Sequence, residues 1–283
     1  MKGITRGATL LKFKNTKIFR TLLFCFCMLF ILGNFNFKIA LVKATHIIEI
    51  MNKDFYLNLK EKTIDNITYL YDTDSSENDI TYITKILNAN KNNILSSIGI
   101  KKEPHITIRI LSNFNPSHSD SLGYVYFHNN IIHVLNLKAH ENLTKNSKQA
   151  LISFSETLIH EYTHSLINYK LLQNKIYPRE LPFWFNEGIA ECMGKFAINK
   201  TIPKFYISNI HPSELDTLFQ TNSDLFYQKS SIFVNSIIEE YGPTKIASIL
   251  DYLKYFNFED SLEKATLSDI DDISMEAFNT TYK

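Results

Sequence analysis

Leu158-Ile159-His160-Glu161-Tyr162-Thr163-His164 lies inside a stretch with helical patterning, residues 151–172. Four residues of α-helix rise about 6 Å and turn slightly more than one revolution, so His160 and His164 leave the same face and can converge on one metal ion. Glu161 is one position on, beside that face, where a carboxylate reaches a water held by the ion. His-Glu-x-x-His on a helix is the arrangement of zinc hydrolases. Taken alone it also fits an ordinary amphipathic helix with two histidines and a surface glutamate. A catalytic zinc site needs a third protein ligand and an open fourth position. Twenty-two residues separate His164 from Glu187, in Trp184-Phe185-Asn186-Glu187-Gly188-Ile189-Ala190-Glu191. Pro178 and Pro182 break the chain before it, which predicts a second helix from near Phe183. Glu187 falls in its first turns and can face the histidine pair, with Glu191 one turn later on the same side.

His160-Glu161-x-x-His164 followed by Trp184-x-Asn186-Glu187-Gly188 resembles the gluzincin metallopeptidases of the peptidase MA-like group, over about residues 158–194. The resemblance implies Glu187 as third ligand of one Zn²⁺, Glu161 as general base, and Glu191 as the acid that orients a ligand imidazole, His160 in the first place. It also implies an oxyanion donor from the helical lobe. Tyr227 is the first choice and His211 the second, although a packed aromatic is the more ordinary reading of one tyrosine among 15. The aminopeptidase branch of the family carries Gly-x-Met-Glu-Asn upstream. Gly123-Tyr124-Val125-Tyr126-Phe127 has no such acid, which favours endopeptidase action. His46, His105, His118, His128, His133 and His140 have no partner at ligand spacing and read as surface or strand residues.

Residues 1–44 hold eight Lys or Arg and no Asp or Glu, leaving 22 basic and 29 acidic residues, a formal −7, for residues 45–283. An acidic body argues against a nucleic-acid partner. The basic N-terminus precedes a near-continuous apolar run, residues 21–33, shorter than the roughly 20 residues that span a bilayer. Such a pair reads as a secretory signal with cleavage after Ala44, or as an uncleaved anchor through residues 21–42. Either reading exports the body, as a secreted or membrane-anchored extracytoplasmic protein. Cys25 and Cys27 lie in that run, which leaves Cys192 alone and no disulfide framework.

In the body, residues 67–71 and 105–111 alternate as strands, 79–98 repeat as a helix ending near Gly99, and 124–127 with 131–137 flank a hairpin turn at 128–130. Residues 225–241 and 244–255 show helical spacing around Gly242-Pro243, and 261–282 are helical in part. The expected class is α+β and zincin-like. A small, mostly antiparallel sheet lobe (45–147) is followed by the active-site helices and a helical lobe (148–283), together one catalytic domain. Residues 131–135 are the candidate edge strand on which a peptide or protein substrate is held by backbone hydrogen bonds, or else they pack under the helix. Two other readings stay open: a zinc hydrolase of a non-peptide amide such as a cell-wall bond, and a binding module that keeps the fold without turnover.

Overall fold

Alternation in Ile67-Thr68-Tyr69-Leu70-Tyr71 puts Ile67, Tyr69 and Tyr71 on one buried face of a strand, and Ile106, Ile108 and Ile110 do the same in the next. The computed structural model describes residues 59–114, 122–125, 131–202 and 211–279. All of them belong to one compact unit, Asp54–Lys283. The signal or anchor segment of residues 1–44, the expected turn at 128–130, and His46, His118 and His128 lie outside the described residues. No helix among the described residues is long and apolar enough to cross a membrane.

The fold is α+β and mostly helical, around a five-stranded sheet. Its strands are β1 (Lys60–Ile64), β2 (Ile67–Tyr71), β3 (Ile106–Leu111), β4 (Gly123–Val125) and β5 (Ile131–Leu135), in the order β1-β2-β3-β5-β4. The sheet is mixed rather than mostly antiparallel. β1–β2 and β4–β5 pair antiparallel, β2–β3 and β3–β5 parallel. The cause lies between β2 and β3, where the 22-residue helix α1 (Glu77–Ile98) returns the chain to its starting end, so that β3 runs beside β2 in the same direction. Of the two readings of residues 131–135, the edge strand is corrected and the strand that packs under the helix of residues 147–173 holds. β5 is interior, consistent with its buried run Ile132-His133-Val134-Leu135, and among the described residues the short, half-buried β4 forms the edge.

Helices α2 (Leu137–Thr144), α3 (Ser147–Gln173) and α4 (Phe183–Ala197) follow the sheet, and α5 (Pro212–Thr221), α6 (Ser223–Tyr241), α7 (Thr244–Tyr252), α8 (Phe258–Thr266) and α9 (Ile270–Asn279) complete the chain. Local chemistry sets the starts. Asn136, Asn146 and Asn222 each accept a backbone N–H with the side chain at the N-terminus of α2, α3 and α6. Asp79 closes a capping box with Ser76, and its other oxygen accepts the Leu137 N–H at 2.9 Å, joining the starts of α1 and α2.

The 27-residue α3 is the centre of the packing, touching α1, α2, α4, β4 and β5. Eight consecutive residues, Glu161 to Asn168, are buried. A helix enclosed on all sides must satisfy its polar groups internally. The Tyr162 hydroxyl donates to Glu103 Oε1 at 2.5 Å, and the Thr163 hydroxyl to the Ile159 carbonyl at 2.7 Å.

An aromatic cluster holds α4 against α6 and α8. Trp184 meets Phe233 edge-on at 4.8 Å and Phe185 meets Phe258 at 4.9 Å between ring centroids. The Trp184 N–H at the start of α4 donates to Asp216 Oδ1 at 2.8 Å. Along the same contact α4 lies against α6 so closely that a Cβ on Gly188 would stand 2.5 Å from the Ser230 carbonyl oxygen and 2.6 Å from Val234 Cγ2. Backbone cannot yield as a side-chain tip would, so Gly188→Ala is expected to lower stability by about 1–3 kcal/mol. Urea denaturation of the metal-free protein checks this; a change within ~0.5 kcal/mol, the usual size for an inert site, contradicts it.

Candidate metal centre

α3 presents His160 and His164 one turn apart, and α4 presents Glu187 opposite them. The His160 and His164 Nε2 atoms are 3.0 Å apart, and Glu187 Oε2 lies 3.3 Å from the first and 3.2 Å from the second. Three ligand atoms on one face of a tetrahedron, each about 2.1 Å from a central Zn²⁺, stand roughly 3.4 Å from one another. The observed triangle is therefore the right shape and within a few tenths of an ångström of the right size. His160, His164 and Glu187 are close enough to hold a metal ion.

The far side of each imidazole is also occupied. His160 Nδ1 faces Glu191 Oε1 at 3.4 Å. His164 Nδ1 donates to Asn186 Oδ1 at 3.2 Å. With a proton on each Nδ1, each Nε2 can turn its lone pair to a cation once any proton it carries is displaced. Asn186 was missed as an orienting residue, although it stands in the Asn-Glu-Gly segment immediately before the ligand. Glu191 is held in turn by Lys195, whose Nζ is 2.8 Å from Glu191 Oε2 and donates to Ser231 Oγ at 3.1 Å. The sequence signal for Lys195 was its place four residues after Glu191 on one helix.

The titration of the cluster follows from its crowding. Burial alone would lower the His160 pKa, yet the Glu187 and Glu191 carboxylates raise it well above 6.5. Burial opposes ionisation of Glu187, but His164 and His160 hold its pKa far below the ordinary carboxylate range. Glu191 is likewise buried, and His160 and Lys195 bring it down to about 2. Glu161 differs. Burial raises its pKa, the two histidines offset part of the rise, and Glu187 and Glu191 add to it. The site thus separates carboxylates that stay ionised from one made more basic.

Two cavities flank the cluster. One of about 390 Å³ is bounded by Leu122, Glu156, Thr157 and Glu191; one of about 310 Å³ is bounded by Tyr124, Val125, Asn168, Pro178 and Asn186. Gly123, His160, Glu161 and Tyr227 line both. Tyr227, on α6, has its ring centroid 6.5 Å from that of His160. Burial and the nearby Glu187, Glu191 and Glu161 raise its pKa, which keeps the phenol protonated as a donor. His211, the second choice for that role, pairs instead with Asp271 Oδ1 at 2.9 Å and lines neither cavity.

β4 brings backbone to the same place. Leu122 is opposite Leu135 and accepts its N–H at 3.1 Å, so Leu122 and Tyr124 point their backbone polar groups at β5. Gly123 and Val125 consequently direct theirs away from β5, along the open edge of the described sheet. Among the remaining histidines, His105 Nε2 lies 3.1 Å from Thr68 Oγ1, and His133 is buried in β5 against Tyr124. His140 departs from the surface-or-strand expectation. It is fully buried on α2, with Nδ1 3.2 Å from Ser153 Oγ, Nε2 without a hydrogen-bond partner among the described residues, and its pKa lowered by burial to about 4.

No family model matches the chain. Over 137 residues it is 24% identical to a Bacillus subtilis (strain 168) protein described as uncharacterized protein YhcO, covering 46% of this chain and 42% of that one. The chain thus spans less than half of that relative's length.

Because Glu187 and Glu191 keep a proton on His160 to above its usual pKa, a cation must displace that proton to bind. Metal affinity is expected to weaken as pH falls, and Zn²⁺ uptake near pH 7 is expected to release about one proton. Titration calorimetry in two buffers of different ionisation enthalpy measures this release; identical heats in both would contradict it.

Proposed function

We propose that the chain is a zinc-dependent metallopeptidase of gluzincin type that hydrolyses internal peptide bonds of peptide or protein substrates. One observation carries the reading: the side chains of His160, His164 and Glu187 converge within 3.3 Å while Glu161 opens into both cavities beside them. Two imidazoles and a carboxylate are a ligand set suited to Zn²⁺, with ligand type and metal availability choosing it over other divalent ions. Zn²⁺ held there supplies Lewis acidity to a water and to the scissile carbonyl.

The chain's own groups do the rest. Glu161, buried and made more basic, accepts a proton from the attacking water and passes it to the leaving amine nitrogen as the C–N bond breaks. The Tyr227 hydroxyl donates to the oxygen that gains charge when water adds to the carbonyl carbon. Gly123 and Val125 offer outward N–H and C=O groups on β4, where an extended peptide adds as a further strand. Backbone pairing reads no side chain, which suits cleavage within varied sequences. The export assigned to residues 1–44 completes the proposal, and the N-terminal residue of secreted protein tests it: a start at Met1 favours the anchor over cleavage after Ala44.

Glu161→Gln is expected to retain zinc and lose roughly 10²–10⁴-fold in turnover on a peptide library, the range for removing a general base. Glu187→Ala is expected to lose both zinc and turnover. Full cleavage by Glu161→Gln defeats the assigned role of Glu161. Tyr227→Phe keeps the ring and removes the donor; a drop in kcat on the order of 10²-fold with KM nearly unchanged is expected, and an unaltered kcat returns Tyr227 to plain packing.

A further inference from the structure

We infer that Gly123 is a positioning residue for Glu161. The absent side chain at 123 sets where the carboxylate stands between the peptide-holding strand and the metal ligands. The inference rests on the proposed role of Glu161 as proton acceptor. Its geometric half stands independently of that role.

A Cβ on Gly123 would lie 2.8 Å from Glu161 Cγ, 2.8 Å from Thr157 Cγ2 and 3.2 Å from the His133 carbonyl oxygen. The three contacts surround the position. His133 is on β5, whose pairing with β4 fixes the strand from one side. Thr157 and Glu161 are one turn apart on α3 and fix it from the other. Thr157 is β-branched, with little freedom at χ1 inside a helix. The Glu161 Cγ is near the root of its side chain, so its displacement carries the carboxylate with it. Glu161 is only 8% exposed, and the space open to it is the pair of cavities it lines.

A methyl group at 123 therefore has two accommodations. Glu161 rotates away, or β4 lifts from α3. The first moves the proton acceptor; the second moves the outward N–H and C=O of Gly123, which lie along the open edge of β4. Both change one distance, from the backbone that holds the peptide to the carboxylate that takes the proton. Glycine at this place thus does more than fill a short edge strand. It allows α3 and β4 to approach until Glu161 stands directly beside the strand.

The experiment compares wild type, Gly123→Ala, Glu161→Gln and the double variant. Zinc content, kcat and KM on one peptide substrate, and crystal structures of the metal-free single variants are measured. Gly123→Ala is expected to bind zinc at wild-type stoichiometry and to show the Glu161 carboxylate or β4 displaced by about 1 Å. Its kcat is expected to fall on the order of 10²-fold, the cost of such a misplacement. In the Glu161→Gln background the same Ala is expected to cost less than about twofold, because residues acting through one another are non-additive. An Ala variant with Glu161 and β4 in place and kcat within about twofold overturns the inference, as do losses that multiply in the double variant. If Gly123→Ala does not fold, Gly123→Ala/Thr157→Ala, which removes the methyl group on one side, provides the same displacement measurement. Wild type that binds zinc and cleaves no peptide sinks the proposed function alone; the crystallographic displacement still decides the role of Gly123.

Discussion

Two imidazole nitrogens and a carboxylate oxygen, all electron-rich, are held within 3.3 Å of one another. Nothing in that triangle is self-stabilising: its lone pairs repel unless a proton or a cation stands among them. Two helices keep it in place. α3 fixes the nitrogens by its own pitch, and the packing of α4 on α3 and α6 fixes the oxygen. Removing α4 by even one turn would leave two histidines on a buried helix with no third ligand. The aromatic contacts of Trp184 and Phe185, and the absence of a side chain at Gly188, are in this sense part of the site.

The polar groups around the triangle form a graded set. Asn186 and Glu191 hold the far nitrogens of the two histidines, Lys195 holds Glu191, and Ser231 on α6 holds Lys195. Each is buried enough that an unmatched partner would carry a desolvation penalty of about 1–3 kcal/mol, more for a charge. A connected set of this kind leaves the imidazoles little rotational freedom. Glu161 stands outside the set. It is buried but faces the cavities, and burial raises its pKa while those of Glu187 and Glu191 fall. Proximity to the same histidines thus gives opposite outcomes, decided by which carboxylate has their nitrogens in contact.

Much of the site was legible because helical period alone fixes it. The pairing of His160 with His164 needed only the pitch of α3 and that of Glu187 with Glu191 only the pitch of α4, whereas setting Glu187 opposite the histidines rested on the resemblance of the Asn-Glu-Gly segment. The long helices and β2, β3 and β5 were legible from apolar spacing for the same reason. β1 was not, since Lys60-Glu61-Lys62-Thr63-Ile64 is almost wholly exposed and shows no buried face. α2 and α5 are short, and no apolar repeat of useful length marks them. The sheet was misjudged as mostly antiparallel although a helix between two strands was already visible; that crossover is what makes β2 and β3 parallel. The edge was misplaced because which strand ends a sheet depends on pairing partners distant in sequence. Gly123 and Asn186 were beyond local pattern, their roles arising only where separate elements meet, whereas Lys195 stood one turn after Glu191 on the same helix.

The ligands also lie on both sides of a chain segment. A cation bound by His164 and Glu187 would close the intervening residues, 165–186, into a ring. A cation that binds only the folded form, where these ends meet, adds stability logarithmically in its free concentration. The midpoint of thermal unfolding would then become a gauge of free metal. Strong chelation would empty the metal centre and remove a staple between α3 and α4.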